Sequence, residues 1–407
     1  MSENIPKLRF PGFTELWEQR KLGELMESME YGLNASATQF DGENRYLRIT
    51  DIDDETRKYT GTNPVSPDVN LEKAENYALR EGDILFARTG ASVGKTYKYQ
   101  KEDGKVYFAG YLIRGRLKPK ENVDFIYQQT LTAEFSKFVK ATSQRSGQPG
   151  VNANEYSRYS VWAAPMEEAD RVGSLFEELD RRYTLHQRKL EHLKKLKSGL
   201  LQKMFPKDGE TIPEVRFPGF TGDWEQRKLD KVFDKVDSRV DTPKNGYIGL
   251  GVRSHGKGTF LKTVKAGEEL ETATMSRVYP RNFIVNITFG WEQAIAITRD
   301  EDDGALVSHR FPQFSFKIGF DSVYFGYAFL SSDFLKHLQL SSPGGAGRNR
   351  VLSIPSMLMY EIYVPSFAEQ QRIGSFFKTL DSLITLHQRK LDHLKRLKQG
   401  LLQQMFV

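Results

Sequence analysis

Apolar residues recur at heptad-like spacing in two distant stretches of the chain. Leu190, Leu193, Leu200 and Met204, joined by Leu196 and Leu201, form one stripe. Leu391, Leu394, Leu401 and Met405, joined by Leu397 and Leu402, form the other. Upstream, Val172, Leu175, Phe176 and Leu179 extend the first stripe, and Ile373, Phe376, Phe377 and Leu380 extend the second. This periodicity predicts two helices of roughly 35–40 residues, or about 55 Å at 1.5 Å per residue. Pro165 stands near the first start, which suits an opening helical turn. Ser366 followed by Glu369, just after Pro365, fits a capping box at the second. Helices so long and one-sided need a partner, and pairing with each other buries both stripes. Lys197 and Lys398 interrupt the seam; the pattern predicts that their stems snorkel.

The segments between the helices alternate differently. Residues 46–52, 82–90 and 111–117 read as strands and 125–142 as a helix. In the second half, 246–254, 282–289, 293–300 and 309–318 read as strands and 325–340 as the matching helix. Each segment is α+β, with strands first and a helix before the loop to the last strand.

Two repeats order these pieces. TLHQRKLEHLKKLKSGLLQKMF, residues 184–205, returns as TLHQRKLDHLKRLKQGLLQQMF at 385–406, identical at 18 of 22 positions. PKLRFPGFTELWEQRKL, residues 6–22, returns as PEVRFPGFTGDWEQRKL at 213–229. Pro11-Gly12 and Pro218-Gly219 suit the central positions of type II turns. Phe10, Phe13 and Trp17, with Phe217, Phe220 and Trp224, read as anchors pinning each turn to a core. The expected division is 1–163 and 207–364 for two mixed domains, with 164–206 and 365–407 for the two helices.

Composition narrows the options. The chain of 407 residues is 39% hydrophobic and 28% charged, ordinary for a globular protein. There is no cysteine, which excludes disulfides and thiolate chemistry. The spacing of His186 and His192, and of His387 and His393, separates each pair around its helix, so no metal set is expected. No membrane span and no signal peptide is read, and a cytoplasmic location is expected. The two repeated helices carry +5 and +4, so the remainder is −3 within a formal total of +6. Any nucleic-acid contact outside the helices must then come from focused clusters.

Catalytic motifs are missing. TGASVGKT, residues 89–96, resembles a phosphate loop, but Thr89 stands where the motif needs glycine. Neither Pro67-Asp68 with Asp103-Gly104-Lys105 nor any glycine fingerprint makes a convincing nuclease or cofactor site. What the domains offer is polar and basic loop chemistry. Arg88, Thr89, Ser92 and Lys95 follow a strand, and residues 143–152 and 341–350 form matching loops with Gln144, Arg145, Gln148, Asn152, Arg348, Asn349 and Arg350. Arg48, Arg253, His255, Lys257, Trp291 and Arg310 complete the DNA-binding candidates. Arginine forks onto guanine, and asparagine or glutamine onto adenine.

YLRITDID, GDILFARTGASVGK, EQQRIGSFFKTLD and the doubled LHQRKL helix resemble the specificity subunits of type I restriction-modification systems, over essentially the whole chain. The first helix start departs from that pattern, with Glu168-Ala169-Asp170 where the second has Glu369-Gln370. The resemblance implies two target-recognition domains, each reading half of a bipartite double-stranded DNA site. It implies two helices paired as an antiparallel coiled coil with a pseudo-twofold internal repeat, acting as a ruler for the unread gap. It further implies no catalysis by this chain. Two methyltransferase subunits with S-adenosylmethionine, and restriction-translocase subunits using ATP and Mg2+, would supply the chemistry. A coiled-coil scaffold without nucleic-acid binding is the alternative.

Overall fold

The computed structural model describes residues 5–144, 148–207, 209–344 and 350–406. The chain divides into two compact units, one joining residues 1–188 to 388–407 and the other spanning 189–387. This division cuts across the sequential one. Each unit takes an entry motif, a mixed region, the opening part of the helix that follows it, and the closing part of the other long helix.

The long helices run Met166–Lys203 and Phe367–Met405, 38 and 39 residues. In the first unit, Val172, Phe176 and Leu179 share a core with Leu402, Met405 and Phe406. Phe176 and Phe406 stack with ring centroids 5.8 Å apart. Further along, Lys398 Nζ donates to both carboxylate oxygens of Asp180, at 2.6 and 2.8 Å. Residue numbers fall along one helix as they rise along the other, so the packing is antiparallel. The second unit repeats it with the copies exchanged. Ile373, Phe377 and Leu380 share a core with Met204 and Phe205, Phe205 stacks on Phe377 at 6.0 Å, and Lys197 binds Asp381.

These contacts revise two expectations. Lys197 and Lys398 do not snorkel. Each occupies a seam position, about one-fifth exposed, and meets an aspartate of the facing helix. Leu196 and Leu397 lie outside the stripe, 39% and 40% exposed. Steps of three and four lead from 190 through 193, 197 and 200 to 204, which leaves position 196 one residue off the seam. Leu190, Met204, Leu391 and Met405 are buried, and Leu193, Leu200, Leu394 and Leu401 pack partly buried against the cores.

The entry motif explains its own repetition. Arg9 Nε and Nη2 fork onto the fully buried Glu168 carboxylate at 2.6 and 2.7 Å, and Trp17 Nε1 donates to it at 2.8 Å. Arg216 forks likewise onto the fully buried Glu369 at 2.7 and 2.8 Å. The capping box expected at Ser366 is therefore half made. The Ser366 hydroxyl accepts the Glu369 N–H at 3.4 Å, while the carboxylate turns to the arginine. A carboxylate held out of water needs a charged partner more than a backbone amide. One residue earlier, the Leu8 N–H donates to the Gln404 carbonyl at 2.8 Å, and the Val215 N–H to that of Lys203 at 2.9 Å. Adjacent residues thus tie the opening of one long helix to the close of the other. The following Gly12 and Gly219 have φ of 96° and 92°, as the type II turn requires.

In the first unit the mixed region is built on an antiparallel sheet ordered Met26–Tyr31, Leu112–Leu117, Asp83–Ala87, Thr96–Lys98. In the second unit the order is Phe233–Lys235, Gln313–Phe316, Phe283–Val285, Ile295–Ile297. Around this shared frame the regions diverge. The second carries a five-stranded sheet, whereas the first has separate two-stranded ladders. The helix expected over 125–142 is two helices, Val123–Gln129 and Ala133–Thr142, because the Thr132 hydroxyl accepts the Phe135 N–H and opens a new helix. Ser331 does the same between Ser322–Ala328 and Ser332–Leu340. The strand expected over 46–52 stops at Leu47, and Ile49–Asp51 forms a 3-10 turn. Among the described residues no helix is long and apolar enough to cross a membrane.

Removing either arginine leaves a buried carboxylate without its cation, at an expected cost of about 3–5 kcal/mol. Arg216→Ala should cost more than Arg9→Ala, because Glu168 keeps its indole N–H while Trp224 Nε1 makes no such bond. Urea unfolding of the two variants measures the difference; equal losses would contradict the assignment.

Candidate nucleic-acid interface

In the first unit the buried strand Asp83–Ala87 ends at Arg88, where the chain leaves the core. Two neighbours fix the exit. The Arg88 N–H donates to the Tyr111 carbonyl at 3.0 Å, and the Arg88 carbonyl accepts the Val151 N–H at 2.8 Å. Thr89 then bridges Gly150, and the Gly90 N–H reaches the Pro149 carbonyl at 3.0 Å. The Arg88 guanidinium lies over the Tyr31 ring, 4.8 Å from its centroid. The Tyr31 hydroxyl accepts the Ala153 N–H at 3.2 Å. Gly32 makes this crossing possible, since a Cβ there would stand 2.3 Å from the Ala109 carbonyl oxygen.

Arg88, Thr89, Gln148 and Asn152 are thus gathered at one edge, with Gln148 and Asn152 exposed. Asn152 also caps the short helix Ala153–Ser157 by accepting the Glu155 N–H at 2.9 Å. Sequence reasoning missed Tyr31 and Tyr111, which are 43% and 65% exposed. The one available signal was a tyrosine beside glycine at a strand end in both cases, Tyr31-Gly32 and Gly110-Tyr111. Ser92 lies in the 3-10 turn Gly90–Ser92, and its carbonyl accepts the Lys95 N–H at 2.9 Å. Gln144 is exposed just past the helix Ala133–Thr142. Arg145 lies outside the described residues.

Two candidates prove to be engaged by carboxylates of the chain itself. Lys95 is buried, its ammonium donating to the Ile52 carbonyl at 3.0 Å and pairing with Asp54, so it holds the 52–54 turn instead of facing solvent. Arg48 forks onto Asp51 at 2.9 and 2.8 Å, and that hydrogen-bonded pairing raises its pKa.

The second unit presents the same frame with other side chains. The Ile287 N–H donates to the Arg310 carbonyl at 3.0 Å, and the Ile287 carbonyl accepts the Leu352 N–H at 2.8 Å. Ile287 therefore stands where Arg88 stands, and Arg310 where Tyr111 stands. The turn Gly290–Glu292 follows. Its Glu292 carbonyl accepts the His255 N–H at 2.8 Å, and the Ser254 hydroxyl donates to the Glu292 carboxylate at 2.7 Å. The Arg350 guanidinium lies 5.7 Å from the Trp291 ring centroid. His255, Trp291, Arg310 and Arg350 are thereby brought together. Arg253 folds over Phe260 at 4.9 Å and donates to the Thr259 carbonyl, Lys257 is exposed beside it, and Arg348 and Asn349 lie outside the described residues. Among the described residues no cluster of metal-ligating side chains occurs.

The model of the type I restriction modification DNA specificity domain matches this chain twice, over residues 14–195 and 222–396. The chain belongs to that family. Type I restriction enzyme MjaVIII specificity subunit of Methanocaldococcus jannaschii is 22% identical, over 98% of this chain and 94% of its own length. The fold is similar to the crystal structure of the type I restriction-modification S subunit from M. genitalium, with a TM-score of 0.63, 14% identity and 99% of each chain covered.

Lys95→Met removes the ammonium that holds the 52–54 turn. It should lower the unfolding midpoint in urea by the equivalent of about 1–3 kcal/mol, the usual cost of leaving buried acceptors unpaired. An unchanged midpoint would return Lys95 to the surface candidates.

Proposed function

We propose that this chain reads DNA for a type I restriction-modification complex, one half of a bipartite duplex target per unit. The observation that carries the reading is the pair of strand exits at Arg88 and Ile287, which share backbone bonding while different polar groups gather beside them, Gln148 and Asn152 in one and Trp291 and Arg350 in the other. A reader needs this combination, a fixed frame that presents exchangeable chemistry to base edges. A scaffold without nucleic acid would have no use for it, and the family match does not favour that alternative.

The chain supplies recognition. Methylation and cleavage belong to partners: two methyltransferase subunits that bind S-adenosylmethionine, and restriction-translocase subunits that use ATP and Mg2+. The repeated helices, carrying +5 and +4, with the same packing in both units, give two copies of one methyltransferase equivalent places to dock. The complex works where DNA is, in the cytoplasm.

Exchange of residues 23–163 for the corresponding region of another family member tests the assignment. Methylated-base sequencing in cells that also express the methyltransferase should show one half-site replaced and the other retained. Alteration of both halves would contradict one reader per unit.

A further inference from the structure

We propose that Arg88 reads a guanine in the half-site of the first unit, and that Tyr31 is the positioning residue that aims it. The inference rests on the reading of the chain as a DNA-specificity subunit and names one of the contacts that reading requires.

Four observations converge on Arg88. The first is its freedom from carboxylates. Several arginines of this unit are engaged: Arg9 by Glu168, Arg48 by Asp51, Arg114 by Glu30, Arg116 by Asp83, and Arg181 and Arg182 by Glu178. Arg88 shares its freedom with few others, Arg57, Arg80 and Arg158 among them. Among the described residues Arg88 pairs with no acid, and its one polar side-chain contact is a long one, Nη1 to the Gly110 carbonyl at 3.4 Å. The second is orientation. The Tyr31 ring lies beneath the guanidinium, 4.8 Å away, and the tyrosine is itself fixed through its hydroxyl by the Ala153 N–H. A stacked guanidinium loses less freedom on binding than an unsupported one.

The third observation is the company it keeps. Gln148, Asn152 and the exposed Tyr111 surround a position whose backbone is pinned on both sides. These are groups that meet base edges and faces. The fourth is the second unit. A general phosphate anchor would be useful to both halves, yet Ile287 occupies the same frame position. The Ile287 side chain is partly buried against the core of the second unit, so that half has no cation at this position. The arginine is thus particular to the first half, as a base contact is and a shared phosphate anchor is not.

The choice of base follows from the donor pattern. A guanidinium has only N–H donors, so its fork needs two acceptors side by side. In the major groove guanine offers N7 and O6, whereas adenine pairs an acceptor with a donor and thymine offers one acceptor and a methyl.

The experiment uses the complex of the full chain with its methyltransferase. Methylated-base sequencing first gives the target, and the domain exchange described above marks the half read by the first unit. Duplexes with 7-deazaguanine in that half then remove the N7 acceptor one guanine at a time. At one position the wild-type complex should lose about tenfold in affinity, within the discrimination typical of a bidentate contact. The Arg88→Ala complex should bind more weakly and lose nothing further at that position. Tyr31→Phe should keep the sensitivity and Tyr31→Leu should lose most of it. A target half without guanine on either strand would overturn the proposal. So would a deaza effect undiminished in Arg88→Ala, or an Arg88→Ala loss that is the same for every sequence and lowers the salt slope, as a phosphate contact would. Absence of any two-part target for the wild-type complex would instead refute the specificity reading itself, and this proposal with it.

Discussion

The fold depends on a buried carboxylate at the start of each long helix and the arginine that forks onto it. Glu168 and Glu369 are fully buried, and an ion so placed tolerates only close, well-aligned cationic partners. Arg9 and Arg216 meet that demand from the entry motifs. Leu8 and Val215 then fix the closing end of the opposite helix. The consequence is that the first unit is completed only by residues 388–407, and the second by the close of the helix that precedes its entry motif. Each draws its core from the opening of one helix and the close of the other, so the buried positions of the two repeats, such as Leu190 and Leu391 or Met204 and Met405, must fit equivalent sockets.

The seam adds a second constraint. Lys398 with Asp180, and Lys197 with Asp381, place a charge pair among the leucines of each unit. A polar group at a seam position favours one alignment over its slipped neighbours. Gln128 in the first unit and Tyr327 in the second also bind the same aspartates, so the mixed region is fastened at the same place. Burial, and then Asp381, hold the Tyr327 phenol far above its usual range. With the helices and the sheet frame fixed in this way, the loops beyond the frame are free to differ.

Much of this was legible in the sequence because it repeats or is periodic. The two helices, their lengths, the type II turns and the mixed strand-helix character all follow from spacing and turn chemistry. The pairing of Lys197 and Lys398 did not, since the matching aspartates lie 184 and 218 positions away. The breaks at Thr132 and Ser331 were masked by continuous apolar patterns and needed the hydroxyl caps to be seen. At the candidate interface, Arg88, Gln148, Trp291 and Arg350 lie among the clustered side chains. Lys95 was misplaced because a basic residue in a glycine-rich loop looks the same whether it faces solvent or binds the carbonyl of Ile52. Tyr31 was missed because only the sheet brings it under Arg88.

The central claim is that two units with one frame and different exposed chemistry read two different halves of one site. Single-molecule sequencing of methylated adenines, in DNA from cells expressing this chain with its methyltransferase partner, tests it most directly. The account predicts a motif of two unlike specific parts separated by a fixed unread gap. A single continuous motif, or no modified motif from a verified intact complex, would contradict it.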